Sequence, residues 1–280
     1  METPKIAQKP TTITFIGAGN MARSLIVGLM QDQANVALRV ADPDPLQLDA
    51  IRKHWPGVLT TTDNHEAMQG ADVVVLAVKP QIMREVAEQL VETAQRSRPL
   101  FVSIAAGIRE QALNNWLGGN LPIVRCMPNT PALVQTGATG LYANAQVSTV
   151  QRSLAESILR AVGITLWFED EGKLDAVTAV SGSGPAYFFL MMEAMQAAAE
   201  QLGLRAEDAH LLIMQTALGA ARLALESDDL PAELRRKVTS KGGTTEAALN
   251  VLTEGGLHGL FAKALQAADS RSRELAAANS

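Results

Sequence analysis

The residues with the clearest chemical meaning stand near the start. Gly17-Ala18-Gly19-Asn20-Met21-Ala22 follows the β-branched run Thr11–Ile16 and opens a helix-like stretch reaching Gln31. This is the spacing of a loop that takes a diphosphate: Gly17 for a tight turn, Gly19 so that backbone can approach phosphate oxygens, and small Ala22 for close strand–helix contact. A helix beginning there adds free N–H groups and a partial positive charge. The alternative is a tight turn that uses glycines for shape alone. At the end of the next strand, Val40-Ala41-Asp42-Pro43-Asp44-Pro45 places carboxylates where a dinucleotide's ribose would lie. Asp42 there could accept bonds from ribose hydroxyls and repel a 2′-phosphate, or Asp42 and Asp44 could simply build a Pro-rich turn.

Further polar or small-residue loops recur at the ends of apolar runs. Ala77-Val78-Lys79-Pro80 and Ser103-Ile104-Ala105-Ala106-Gly107 would let a flat cofactor lie against backbone, with Lys79 either pairing a phosphate or ribose oxygen or standing as a surface lysine. Arg125-Cys126-Met127-Pro128-Asn129-Thr130-Pro131 is a polar loop stiffened by two prolines. It carries the chain's single cysteine, with no His, Asn or Asp obviously placed to activate it. In Asp175–Tyr187 a helical approach reaches Ser181-Gly182-Ser183-Gly184, which reads as a break before a Pro-started helix. Val238-Thr239-Ser240-Lys241-Gly242-Gly243-Thr244-Thr245 gathers N–H donors and hydroxyls at a helix start, a nest suited to a carboxylate. For both, a helix–helix linker with an N-cap Ser or Thr is the plainer reading.

These loops need a scaffold, and the first half provides an α/β one. Thr11–Ile16, Ala37–Ala41, Val73–Val78, Leu100–Ile104 and Ile123–Cys126 read as strands; Asn20–Gln31, Leu46–Lys53, Gln81–Gln95 and Arg109–Trp116 read as helices between them. Ala138–Ala143 and Ile164–Phe168 are further strands around a helix at Ser153–Ala161. From about Asp170 the β-branched runs stop and Ala/Leu/Met-rich helices follow: Pro185–Leu202, Ala206–Leu225, Thr244–Thr253 and Leu257–Ala278. A domain boundary therefore falls near residue 168. Tyr187–Met195 and Leu211–Leu225 are apolar almost all round, as for a dimer interface or a central helix of their own domain.

The 280 residues suffice for two domains. A net charge of −5 offers no basic field for nucleic acid, and one cysteine excludes an intramolecular disulfide framework. His54, His65, His210 and His258 are scattered, so no metal is expected. Met1 to Pro10 is polar with no apolar core of a signal peptide, and no apolar run approaches the roughly 20 residues of a membrane span. A cytoplasmic protein in a reducing compartment, without membrane or nucleic-acid partners, is the expectation.

Taken together, Gly17–Ala22, Ala77–Pro80, Ser103–Gly107, Arg125–Pro131, Asp175–Tyr187 and Val238–Thr245 resemble the motif set of the pyrroline-5-carboxylate reductases, in order and spacing, from about residue 12 to 275. The resemblance implies reduction of 1-pyrroline-5-carboxylate to L-proline by NADPH or NADH. It implies an N-terminal Rossmann domain with a doubly wound sheet, residues 1–168. An all-α substrate-binding and dimerisation domain, 169–280, then makes a homodimer or higher homo-oligomer, as in the wider 6-phosphogluconate-dehydrogenase-like group. By the same resemblance the diphosphate falls to Gly17, Ala18, Gly19, Asn20, Met21 and Ala22, and the ribose to Asn64 with Asp42 and Asp44. The nicotinamide side falls to Ala77, Val78, Lys79, Pro80, Ala105, Ala106 and Gly107, with Met127 and Asn129 nearby. Substrate falls to Ser240, Gly242, Gly243, Thr244 and Thr245 opposite Ser181 and Gly182, with Glu171 at the same site. The acidic ribose turn departs from family members that prefer NADPH.

Chemically, N–H groups of Gly243 to Thr245 and the Ser240 hydroxyl would hold the substrate carboxylate while the Thr245 hydroxyl touches the ring nitrogen. A Thr hydroxyl is too weak an acid to be the ultimate proton source, so Thr245 would orient the ring or relay from water. Another imine reductase or a β-hydroxyacid dehydrogenase could share this scaffold, although the latter would want a lysine on the helix after Pro185, which has none. A non-catalytic NAD(P)-sensing protein is the alternative outside enzymes.

Overall fold

The computed structural model describes residues 9–31 and 35–279; the N-terminal stretch read above for targeting signals lies outside them except for Lys9 and Pro10. Among the described residues eight strands form one sheet: β1 Thr11–Ile16, β2 Val36–Ala41, β3 Leu59–Thr61, β4 Val73–Leu76, β5 Leu100–Ser103, β6 Ile123–Met127, β7 Gly137–Ala143 and β8 Gly163–Trp167. Their order is β3-β2-β1-β4-β5-β6-β7-β8. Strands β1 to β6 are mutually parallel, β7 runs antiparallel to β6, and β8 is parallel to β7. The first six have the doubly wound order with a switch point between β1 and β4, where such sheets bind ligands.

Alternation along the strands builds two cores. Ile13, Phe15, Val73 and Val75 pack in one cluster, and Ile16, Val74, Leu76 and Phe101 in the other, as the period of two in a pleated strand requires. Strands β4 and β5 are buried on both faces, which is why they read as unbroken apolar runs.

The helices are α1 Asn20–Gln31, α2 Pro45–His54, α3 Asn64–Met68, α4 Pro80–Gln89, α5 Val91–Ser97, α6 Glu110–Trp116, α7 Thr149–Arg160, α8 Lys173–Val177, α9 Gly184–Gln201, α10 Ala206–Glu226, α11 Pro231–Lys237, α12 Thr244–Glu254 and α13 Leu257–Ala278. The single helix expected over Gln81–Gln95 is two, meeting at Leu90 with no Gly or Pro to mark the joint. The expected break at Ser181–Gly184 is not a break. After α8 the chain widens into a π-turn, Thr178–Gly182, closed by the Ser183 N–H donating to Thr178 O at 2.8 Å, and continues into α9. Cys126 lies inside β6 rather than in the following loop.

Two compact units result: residues 1–183 with 268–280, and residues 184–267. The sheet ends at Trp167, close to the change of composition, but α8 stays with the sheet unit because Leu174 and Val177 pack where a side chain on Gly140 of β7 would stand. In the second unit, α9 buries only Gly184, α10 only Ala209 and Ile213, and α12 nothing. Neither α9 nor α10 is a buried central helix within one chain.

Candidate active site

All of β1 to β6 point the same way, so the loops that follow them share one edge of the sheet. That edge collects Gly17–Ala22, Asp42 and Asp44, Asn64 at the start of α3, Ala77–Pro80, Ala105–Gly107, and Met127 with Asn129. At its centre Gly17 has φ +102° and donates its N–H to Ala41 O at 2.8 Å, while a Cβ there would sit 2.7 Å from Ala77 O. Only glycine fits the bend. Gly19 has open space where its Cβ would point, and α1 begins at Asn20 with no acidic residue in its first turn. Ala18 and Ala22 are buried against the core, and Met21 is half-buried there. A loop closed beneath by β4 and open above, feeding a helix N-terminus, fits a dinucleotide's diphosphate.

The acidic turn is built into this loop. Asp42 Oδ2 accepts from the Ala18 N–H at 2.8 Å and Oδ1 from the Asp44 N–H at 2.9 Å, while Asp44 caps α2 by accepting from the Leu46 N–H at 2.9 Å. The Pro-rich turn is therefore real, and it anchors the Asp42 carboxylate directly against the Gly17–Ala22 loop. Lys79 precedes α4 with its side chain exposed.

The Met127–Asn129 segment meets the π-turn. Asn129 Oδ1 accepts from the Ala138 N–H at 2.9 Å and its Nδ2 donates to Ser181 O at 3.1 Å; a Cβ on Gly182 would stand 2.7 Å from Met127 Cε. Glu171 is engaged with protein groups: its Oε1 accepts from Arg125 Nη1 at 2.9 Å and from the Glu110 N–H at 2.7 Å, with Arg125 only 2% exposed. It ties β6 to the start of α6. Glu110 in turn accepts from Asn144 at 2.7 Å. Burial, then the charges of Glu110 and Glu171, hold the Tyr142 hydroxyl above its ordinary range. Burial also pushes the Cys126 thiol far up, against a smaller opposing pull from Arg125, so it is no nucleophile. Sequence reading missed Arg109, Asp175 and Ser272, which pair across 66 and 97 residues of chain with no local pattern to announce it.

Ser240–Thr245 lies in the second unit. Gly242 has φ +75° and donates its N–H to Glu246 Oε2 at 2.7 Å; the Gly243 N–H donates to Ser240 O at 3.1 Å. A Cβ on Gly243 would lie 2.6 Å from Ser240 Oγ. The Gly243 N–H, expected to hold a carboxylate, is thus spent on the turn itself. Thr244 and Thr245, in the first turn of α12, have no acceptor within the helix for their N–H groups.

Fold and site together define a dinucleotide-dependent oxidoreductase with a helical unit appended to its nucleotide-binding sheet. Residues 171–275 match the family model described as pyrroline-5-carboxylate reductase dimerisation, and residues 12–107 that described as NADP oxidoreductase, coenzyme F420-dependent. A pyrroline-5-carboxylate reductase of Pseudomonas aeruginosa is 54% identical over 99% of this chain and 98% of its own length. A solved structure of a pyrroline-5-carboxylate reductase from Coxiella burnetii covers 95% of this chain and 98% of its own at 49% identity, with a TM-score of 0.90. One from Plasmodium falciparum with NADP bound covers 96% and 99% at 27% identity, with a TM-score of 0.82. The chain belongs to the pyrroline-5-carboxylate reductase family.

Proposed function

We propose that this chain reduces the C=N bond of 1-pyrroline-5-carboxylate to give L-proline, the last step of proline synthesis, with NADPH or NADH as hydride donor. The observation that carries this reading is the end-to-end match, 54% identity across 99% of the chain, to a relative of that name. Bound NADPH or NADH supplies the hydride for the imine carbon.

The protein's task is placement. Gly17 to Ala22 hold the diphosphate, and Asn64 and the Asp42–Asp44 turn meet the ribose. Ala77 to Pro80, Ala105 to Gly107, Met127 and Asn129 border the nicotinamide. Ser240, Gly242, Gly243, Thr244 and Thr245 bind the imino acid. The N–H groups of Thr244 and Thr245, together with the Ser240 hydroxyl, hold its carboxylate; Gly243 contributes shape. The Thr245 hydroxyl orients the ring nitrogen or relays a proton from water. Glu171 serves the substrate site as a strut, through Arg125.

On this reading residues 1–168 form the nucleotide-binding domain of a cytoplasmic homodimer, and 169–280 carry the substrate and the dimer contacts. The test is nicotinamide absorbance when 1-pyrroline-5-carboxylate is added to purified protein with NADPH or NADH. Rapid loss with formation of proline is expected. Binding of the dinucleotide without oxidation would replace the enzyme with a sensor.

A further inference from the structure

Asp175 has no exposed surface, and a buried carboxylate survives only with paired charge and hydrogen bonds. Its Oδ2 accepts from Arg109 Nη2 at 2.5 Å and its Oδ1 from Ser272 Oγ at 2.7 Å. Arg109 stands two residues after Gly107, at the exit of the Ala105–Gly107 loop. Gly107, with φ +71°, has its carbonyl bonded by Asn279 Nδ2 at 3.2 Å, and a Cβ there would lie 3.4 Å from Leu275 Cβ. The last turns of α13 thus clasp this loop from the side while Asp175 holds its exit.

Downstream of Asp175 comes the π-turn, a feature frequent at functional sites. Pro185 has no N–H to offer Ser181 O four residues back, and Asn129 Nδ2 takes that carbonyl instead. One short helical segment therefore holds both Arg109, two residues beyond Gly107, and Asn129.

We propose that Asp175 is a positioning residue for hydride transfer, acting through Arg109 and Ser272 to hold the nicotinamide-side loop in register. This rests on the function proposed above. Hydride transfer tolerates little displacement, so loosening the loop slows chemistry more than it weakens binding of the dinucleotide's far end.

Asp175→Asn keeps the volume and removes the charge. The expected result is a fall in kcat of about tenfold or more, with KM for 1-pyrroline-5-carboxylate and Kd for ADP-ribose within about twofold of the parent. In the protein without dinucleotide, backbone amides of residues 105–109 should exchange hydrogen faster while those of 17–22 do not. Ser272→Ala removes one hydrogen bond, leaves the ion pair, and should show the same pattern more weakly, which keeps the test open if Asp175→Asn does not fold. Parent-like kcat and exchange in Ser272→Ala, or a loss in Asp175→Asn confined to melting temperature, would overturn the proposal. A parent protein inactive on the imine would instead sink the functional reading, and the exchange measurement stands apart from that.

Discussion

Thr245 and Cys126 illustrate how environment decides what a side chain can do. Thr245 stands second in α12 with an N–H that has no helical acceptor and a hydroxyl beside it, and the role proposed for it is to orient substrate. Thr245→Ala should lower kcat about tenfold or more while leaving NADPH affinity within about twofold, read by steady-state kinetics beside fluorescence titration. Intact turnover with collapsed NADPH affinity would place Thr245 elsewhere. Cys126 is 1% exposed in β6, and burial raises its pKa above the ordinary 9.0. The folded thiol then keeps its proton at pH values where the unfolded chain has lost it. Its contribution to stability is complete below about pH 9 and falls as pH rises beyond that, by up to about 1.4 kcal/mol per pH unit. Urea unfolding at pH 8 and pH 10 should show a steeper alkaline loss for the parent than for Cys126→Ala. Equal losses would mean that the thiol is not sequestered.

At the scale of elements, close backbone contact explains several glycines better than flexibility does. Gly163 starts β8 at φ +148°, and a Cβ there would lie 2.0 Å from Gly137 O on the neighbouring strand. Gly163→Ala should destabilise by about 2–4 kcal/mol in denaturant unfolding, since backbone cannot yield as a side chain would; a loss below about 0.5 kcal/mol would show that the β7–β8 edge is pliable. The strands that sequence patterning finds are the ones with continuous apolar runs, such as Val73–Leu76. β3 escaped because Leu59–Thr61 is three residues beside more threonine, and α11 because Pro231–Lys237 is short and charged. Ser181–Gly184 misled in the other direction: small polar residues suggested an interruption, whereas they let a helix widen and turn a carbonyl to Asn129. The glycine bends of the site were legible because φ above zero has a residue signature. The Arg125–Glu171 and Arg109–Asp175 pairs were not, because nothing local marks partners 46 and 66 residues apart.

Across the whole molecule the sheet unit is a closed core, while the helical unit leaves apolar side chains uncovered. Phe189 and Leu190 on α9 are each 64% exposed, and Leu211 on α10 is 68% exposed. A monomer would present that surface to water, and the matching family model is one of dimerisation. Light scattering should therefore give a mass of at least twice 29.8 kDa at micromolar concentration; a stable 29.8 kDa species would contradict it. No helix of the described residues is long and apolar enough to cross a membrane. The most direct test of the reaction itself follows the hydride. NADPH carrying deuterium at both C4 positions of the nicotinamide is mixed with the protein and 1-pyrroline-5-carboxylate, and the proline formed is analysed by mass spectrometry. The expected result is L-proline with deuterium on the ring carbon that had been doubly bonded to nitrogen. Proline without the label, or label that appears only in water, would contradict direct transfer across this site.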